Sequence, residues 1–554
     1  MLSSLPQELV DHISSYLRRK DLKHTLLVSP KFQRAAEDYS GAFTEYALTE
    51  DNIDKFVETF SGRNFRHLRR VKFRTSVPGL GDEEIDEDNP CRDTADQLNQ
   101  MDHEFTRQIN FLFLTLQNVE KQAGSLYGPG RIELKIYTPT RDVDSNHYCL
   151  HRVFTSWRVH LLSPETLPNL TSVQSLLVKN GSNLGEDLPT PALRKIDLRV
   201  LLDISAKLPN LRTLRCKIGS DEWTPNASAN AADDVRYTVQ DWPGPRRDTR
   251  HDFGKALGDT TLSKLRHAQL DFIYPLYKAE GIDQRLAMPD LTKPALYDPF
   301  SSSLRLLSYQ LRTLKLRVVA DETLFWPADS SVPSWPDLEN LSVMFHMATP
   351  SGSWYFKGLY DIIGEDEGFE ITEKSYPPMA TTEEDEQSDY EFDWDSDWER
   401  NVVVVRHRLN PIEKTLAPFL AAFAKAAALM PALKYVALWS PLAFDVVSPL
   451  GNDDFSSINM PEVTRNDMAC GVAYVKPGTE AFDTYPGENF SAVRQLWWKV
   501  GRWRPESELL DLFHQIGRQE HGEPLAEYWV CPNVDFGLAD RDDFTWWEDH
   551  ISNC

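Results

Sequence analysis

Apolar residues recur every fourth position at the start of the chain, where Leu5, Leu9, Ile13 and Leu17, flanked by Val10 and Tyr16, make one stripe of a short amphipathic helix. Pro6 suits the first turn of that helix, where a missing N–H costs nothing. Arg18-Arg19-Lys20 put positive charge where the helix is expected to end, the sign its dipole favours. Asp21 can cap a second helix carrying Leu22, Leu26 and Leu27. Ser29-Pro30 then gives the cap and first-turn proline of a third, with Phe32, Ala35, Ala36 and Tyr39 on one side. Helices this short cannot bury a core of their own, so their apolar faces need the rest of the chain or a partner.

Beyond residue 40 the pattern predicts helices alternating with strands. RIELKIY (131–137) alternates as a strand, and Asp102 can cap a preceding helix with Phe105, Ile109, Leu112, Phe113 and Leu116 facing inward. Asn410-Pro411-Ile412-Glu413 gives cap, first-turn proline and capping-box acid of another helix. Leu416, Phe419, Leu420 and Phe423 follow, and Pro418 should kink that helix or delay its start. The bare pattern Leu/Val-x-x-apolar-x-apolar carries no information, because a chain this apolar would show it on the order of ten times by chance. The longer Pro-x-Leu-x-x-apolar-x-apolar, expected about once, occurs four times: PALRKIDL (191–198), PNLRTLRC (209–216), PDLENLSV (336–343) and PALKYVAL (431–438). PNLTSVQSL, from Pro168, is a degenerate fifth copy. A helix ending at proline, then a strand, is one turn of a leucine-rich-repeat-like solenoid whose units cover each other's apolar faces. The copies are unevenly spaced, 18 residues from Leu193 to Leu211 but 95 from Leu338 to Leu433, so the array is expected to be irregular with long insertions. A generic α/β domain with the same alternation is the competing reading.

Composition narrows the class. The 554 residues are 41% apolar, with 15 Trp, 19 Tyr and 27 Phe, enough to keep most of the chain folded. The formal charge of −25 disfavours holding nucleic acid along the chain or lying on an anionic membrane, and suits basic partners. Six cysteines, at 91, 149, 216, 470, 531 and 554, form no CxxC pair and imply reduced thiols. The N-terminus lacks the apolar core of a secretory signal, and even FLAAFAKAAALM is cut by Lys425 before it could span a bilayer. The expected compartment is cytoplasm or nucleus.

The first forty residues carry a resemblance. Leu5-Pro6-x-Glu8-Leu9-x-x-x-Ile13-x-x-Tyr16-Leu17, then Lys20-Asp21-Leu22, then Leu26-x-Val28-Ser29-x-x-Phe32, is similar to an F-box; an ordinary helical hairpin packed on its own protein is the competing reading of periodicity alone. Phe32 stands where that family often has Trp, and it keeps a large apolar anchor. The resemblance implies three helices docking on the Skp-type adaptor of a cullin-based ubiquitin ligase. The adaptor-binding residues would be Leu5, Pro6, Leu9, Val10, Ile13, Leu17, Leu22, Leu26, Val28 and Phe32. Together with the Pro-x-Leu units, a Trp-rich C-terminal segment and an acidic-aromatic insertion, the chain resembles fungal F-box proteins with degenerate leucine-rich repeats. The expected architecture is therefore α/β: an F-box over 1–40, then an irregular leucine-rich-repeat-like solenoid over 41–554.

Three charged patches stand out. GDEEIDEDNP (81–90) is expected to be a solvated loop, and TTEEDEQSDYEFDWDSDWER (381–400) holds ten acids interleaved with Tyr390, Phe392, Trp394 and Trp398. RNFRHLRRVKFR (63–74) has six bases and no acid, and an intramolecular acidic partner is its expected counterpart. HYCLH (147–151) places His147 and His151 on one strand face beside Cys149, without a second ligand pair nearby in sequence. No phosphate loop, HExxH, GxSxG or kinase set is present, so neither catalysis nor a cofactor is expected. In AVRQLWWKVGRWRPESELLDLFHQIGR (492–518) alternation sends Leu496, Trp498 and Val500 to the core and Trp497 to the other face. Arg494, Trp497, Arg502 and Trp503 are the candidate target-binding residues, of the types enriched at hot spots. The expected function is a substrate receptor that binds the adaptor–cullin machinery at one end and an unknown target protein along the repeats.

Overall fold

The computed structural model describes residues 5–78, 93–124, 131–141, 157–181, 194–219, 242–274, 276, 282–358, 366–380, 383, 405–444, 465–479, 492–529 and 538–540. The acidic stretch 81–90, HYCLH (147–151) and, apart from Glu383, the acidic-aromatic segment 381–400 lie outside them. Three helices open the chain: α1 (Gln7–Ser15), α2 (Arg19–Thr25) and α3 (Pro30–Ser40).

Behind them runs a sheet whose strands lie side by side in chain order. These are β1 (Glu45–Leu48), β2 (Arg70–Val77), β3 (Ile132–Arg141), β4 (Val173–Lys179), β5 (Thr213–Lys217), β6 (His267–Asp271), β7 (Thr313–Val318) and β8 (Asn340–Phe345), each parallel to its neighbours. A separate antiparallel ribbon of β9 (Phe356–Gly358) and β10 (Arg408–Pro411) interrupts the sequence, and β11 (Tyr435–Phe444) then returns to pair with β8, again parallel. The last strands change direction. β12 (Arg465–Val475) is antiparallel to β11, β13 (Arg494–Lys499) is antiparallel to β12, and β14 (Leu525–Trp529) is parallel to β13. The short β15 (Ala539–Asp540) pairs with β12.

Parallel neighbours require a crossover. Helices α4 (Ile53–Phe60) and α5 (Ala95–Ala123) serve the first strands, and helices Arg199–Ser205, Pro243–Asp259, Pro299–Ser308 and Glu413–Ala428 serve later ones. Their apolar sides share one core with alternate strand residues. Strand register makes that core continuous: Leu48, Phe73, Ile136, Val178, Cys216, Leu270, Leu316, Val343 and Leu438 form one buried row across nine strands. Burying each such side chain stabilises by about 1.5–3 kcal/mol. A leucine five residues ahead of the core row above plugs the start of most strands, and Leu68, Leu211, Leu265, Leu311, Leu338 and Leu433 are all buried.

Several local expectations are corrected. The long helix α5 starts at Ala95, capped by Thr94 in a reciprocal box with Gln97, because these satisfy its first N–H groups. Asp102 therefore sits inside the helix, and its carboxylate accepts from the backbone N–H of His160 at 2.7 Å. The helix Glu413–Ala428 is entered from Ile412, while Asn410 and Pro411 close β10. Pro418 lies within that helix without ending it. In the described part of PALRKIDL, residues 194–198, Ile196 forms an isolated bridge to Val159 in place of a full strand.

Candidate adaptor interface and target surface

The Leu5-Pro6 turn is held from the third helix. Lys31 Nζ donates to the Leu5 carbonyl at 2.6 Å, and Gln7 Nε2 donates to the Lys31 carbonyl at 3.2 Å. Pro6 occupies the cap position with extended ψ, one residue before the helix. The triplet Arg18-Arg19-Lys20 does not end α1, which stops at Ser15; it leads into α2, where Asp21 accepts from Arg18 Nε at 3.0 Å. Ser29 caps α3 as the sequence indicates, and Gly41 ends it at φ 64, the left-handed region glycine enters without strain.

The apolar stripe of α1 divides between two tasks. Val10, Phe32 and Ala35 form a small private core against which Leu5 packs, and Leu22 is buried as well. Leu17 is half-buried. Leu9, Ile13 and Tyr16 face outward, and the α2–α3 turn adds Leu26, Val28 and Leu27, the last 97% exposed. Of sixteen large apolar side chains exposed among the described residues, seven lie between Leu9 and Tyr39, so open apolar surface is concentrated on these helices. Exposed large apolar side chains gathered on one small unit are the kind of surface at which interaction sites are sought. Val10, Leu22 and Phe32 hold the helices together behind it. Tyr16, Leu27 and Tyr39 join the open surface although sequence reasoning did not select them as adaptor contacts; their apolar character beside the motif was the only signal.

The basic run 63–74 fixes this helical unit to the sheet. Arg63 pairs with the buried Glu37 of α3 at 2.6 Å, and Arg66 reaches Asp38 at 3.4 Å. His67 Nδ1 lies 3.0 Å from Asp38 while its Nε2 accepts from Arg66 Nε at 2.9 Å. Only a neutral imidazole can donate from one nitrogen and accept at the other, and burial indeed holds the His67 pKa below its ordinary value despite Asp38. Arg70 and Lys72 continue the pairing onto Glu45 and Glu133. The acids and bases expected to meet within the chain do so at the joint between α3 and β2.

At the far end of the sheet, the candidate target residues have distinct surroundings. Arg494 is 1% exposed, and its guanidinium donates to the carbonyls of His514 (2.8 Å), Ile516 (2.6 Å) and Glu523 (2.8 Å). It ties β13 to the end of the helix Ser507–His514. Trp497 is half-buried, stacked on Tyr528 with ring centroids 4.2 Å apart, and its Nε1 donates to Gln495 at 3.1 Å. Trp503 is half-buried and donates to Glu413 at 3.0 Å; Arg502 is exposed. Leu496, Trp498 and Val500 are in the core, as alternation requires. Arg494, Trp497 and Trp503 thus all hold intramolecular contacts, and the structure gathers no open aromatic pocket from them.

No group of three or more metal-ligating side chains occurs among the described residues, and no helix there is long and apolar enough to cross a membrane. No curated protein matches this chain. The three N-terminal helices, with their clamped Leu-Pro turn and outward apolar face, coincide with a family match: residues 2–40 are an F-box domain, the module that binds Skp-type adaptors.

Proposed function

We propose that this protein is the substrate-recognition subunit of a Skp-cullin-F-box ubiquitin ligase. The carrying observation is the open apolar face of Leu9, Ile13, Tyr16, Leu26, Leu27 and Val28 within the matched domain, which leaves a surface for the adaptor to bury. The sheet beyond it serves as a leucine-rich-repeat-like solenoid. Its strict strand order, with each crossover adding the next parallel strand to the same edge, supports that reading, as does the recurring leucine at the strand entrances. Such a chain makes and breaks no bonds. It raises the concentration of a bound target beside another subunit's active site. The ion-paired joint at Glu37, Asp38, Arg63 and Arg66 supports this use, since a fixed angle between adaptor and target sets where ubiquitin arrives. The setting is cytoplasmic or nuclear, as for the fungal F-box proteins it resembles. Reconstitution tests the reading: purified full chain should join a Skp-type adaptor and a cullin in one complex by size exclusion. Assembly with the adaptor but never with the cullin would favour a non-degradative scaffold instead.

A further inference from the structure

Among the described residues, the strand face turned away from the helices is rich in bases. Register aligns Lys72, Lys135, Arg215 and Lys315 in one row that passes Leu177 and Gln269. The next row holds Arg74, Lys179, Lys217 and Arg317, with Tyr137 and Asp271 between them. With Arg70, the described residues of β1–β7 place nine bases here, each exposed or half-buried, and Glu45, Glu133 and Asp271 on the same face pair with Arg70, Lys72, Arg215 and Arg317. In a chain of net charge −25 this excess does not follow from composition. Two tyrosines hold the cations in place: Arg74 and Lys135 lie 5.2 and 4.9 Å from the Tyr137 ring centre, and Lys179 and Lys217 lie 5.7 and 5.4 Å from that of Tyr274.

We propose that the basic face of β2–β7, around Arg74, Lys135 and Lys217, is the docking surface for an extended acidic segment of the target protein, rich in Asp and Glu. The inference rests on the receptor reading above and names the chemistry of its partner. From Lys72 to Lys315 the row crosses five strand intervals, about 24 Å at the usual strand spacing, which about seven extended residues cover. A nucleic acid fits less well. The overall negative charge repels a long polyanion, and Tyr137 is buried, so it offers no face on which a base could stack.

Fluorescence anisotropy on the full chain in complex with the adaptor tests the proposal. The probes are a labelled ten-residue peptide with six Asp or Glu, its Gln/Asn counterpart, and a single-stranded oligonucleotide of equal charge. The acidic peptide should bind, weaken as salt rises, and lose at least tenfold in affinity with Lys135→Glu plus Lys217→Glu. The Gln/Asn peptide should not bind. If the reversed pair lowers the melting temperature, Lys135→Gln plus Lys217→Gln replaces it, with a loss of at least threefold expected. Unchanged affinity in the variants, or tighter binding of the oligonucleotide than of the peptide, would overturn the proposal. Adaptor binding is measured in the same samples, so a failure there strikes the receptor reading and a failure of the peptide alone strikes this one.

Discussion

Replacing Arg494 by alanine separates a scaffold residue from a target contact. The side chain is buried, and its guanidinium serves three carbonyls, of His514, Ile516 and Glu523, at 2.6–2.8 Å. A hydrogen bond from a charged group contributes about 1.5–3 kcal/mol. Two of these three bonds are partly open to water, so the sum is discounted to about 3–5 kcal/mol. Arg494→Lys keeps the charge but cannot span three acceptors, so it should lose about half as much. Amide hydrogen exchange reads the effect locally. Protection should fall across 494–529, in β13, the Ser507–His514 helix and β14, while β2–β7 and adaptor binding stay as in the wild type. Unchanged protection with loss of target capture would refute the scaffold role and return Arg494 to the binding surface.

Asp93 is buried beside Arg141 (2.7 Å) and Arg194 (3.7 Å), so Asp93→Ala takes the carboxylate from the buried Arg141 and should cost about 3–5 kcal/mol; a melting temperature within a degree of wild type would contradict this. Burial pushes the His407 pKa down from 6.5 to about 4, and Gly358 packs so tightly on its ring that a Cβ there would meet Nδ1 at 2.2 Å. The unfolded chain therefore binds the extra proton between those values, and stability should fall as pH drops from 6.5 toward 4. Asp321, raised to about 7 by burial and by Asp298, acts in the opposite sense over an overlapping range. The informative quantity is the difference between wild type and His407→Leu, whose urea midpoint should lose less on acidification; equal slopes would show that His407 is not the group responsible.

Much of the helical unit was legible because capping chemistry is local: Ser29-Pro30 marks the start of α3 without reference to anything distant. The division of α1 into an inner and an outer side was not legible, since Leu9 and Val10 are equally apolar and only packing against Phe32 and Ala35 separates them. In the sheet, Pro-x-Leu units located β5, β8 and β11, and the degenerate copy located β4. β2, β6 and β7 carry the same Leu-x-x-apolar-x-apolar core at Leu68, Leu265 and Leu311 without the proline, and that bare pattern is too common to single them out. The 95-residue gap between Leu338 and Leu433 is closed in space, with Val343 beside Leu438 in register. No sequence spacing announces such a return. The basic face was hidden for a related reason: its residues are separated by tens of positions and meet only across the strands.

The central claim is that the outward face of α1 docks on a Skp-type adaptor, and a titration of purified adaptor into full-length protein carrying Leu9→Glu and Ile13→Glu tests it most directly. Both side chains are about half exposed, so folding stability should stay within about 0.5 kcal/mol of wild type. Two hot-spot contacts of at least about 2 kcal/mol each correspond to a loss of roughly three orders of magnitude in affinity. Wild-type binding with loss of that size in the double variant is the predicted result; equal adaptor affinity in a folded double variant would contradict it.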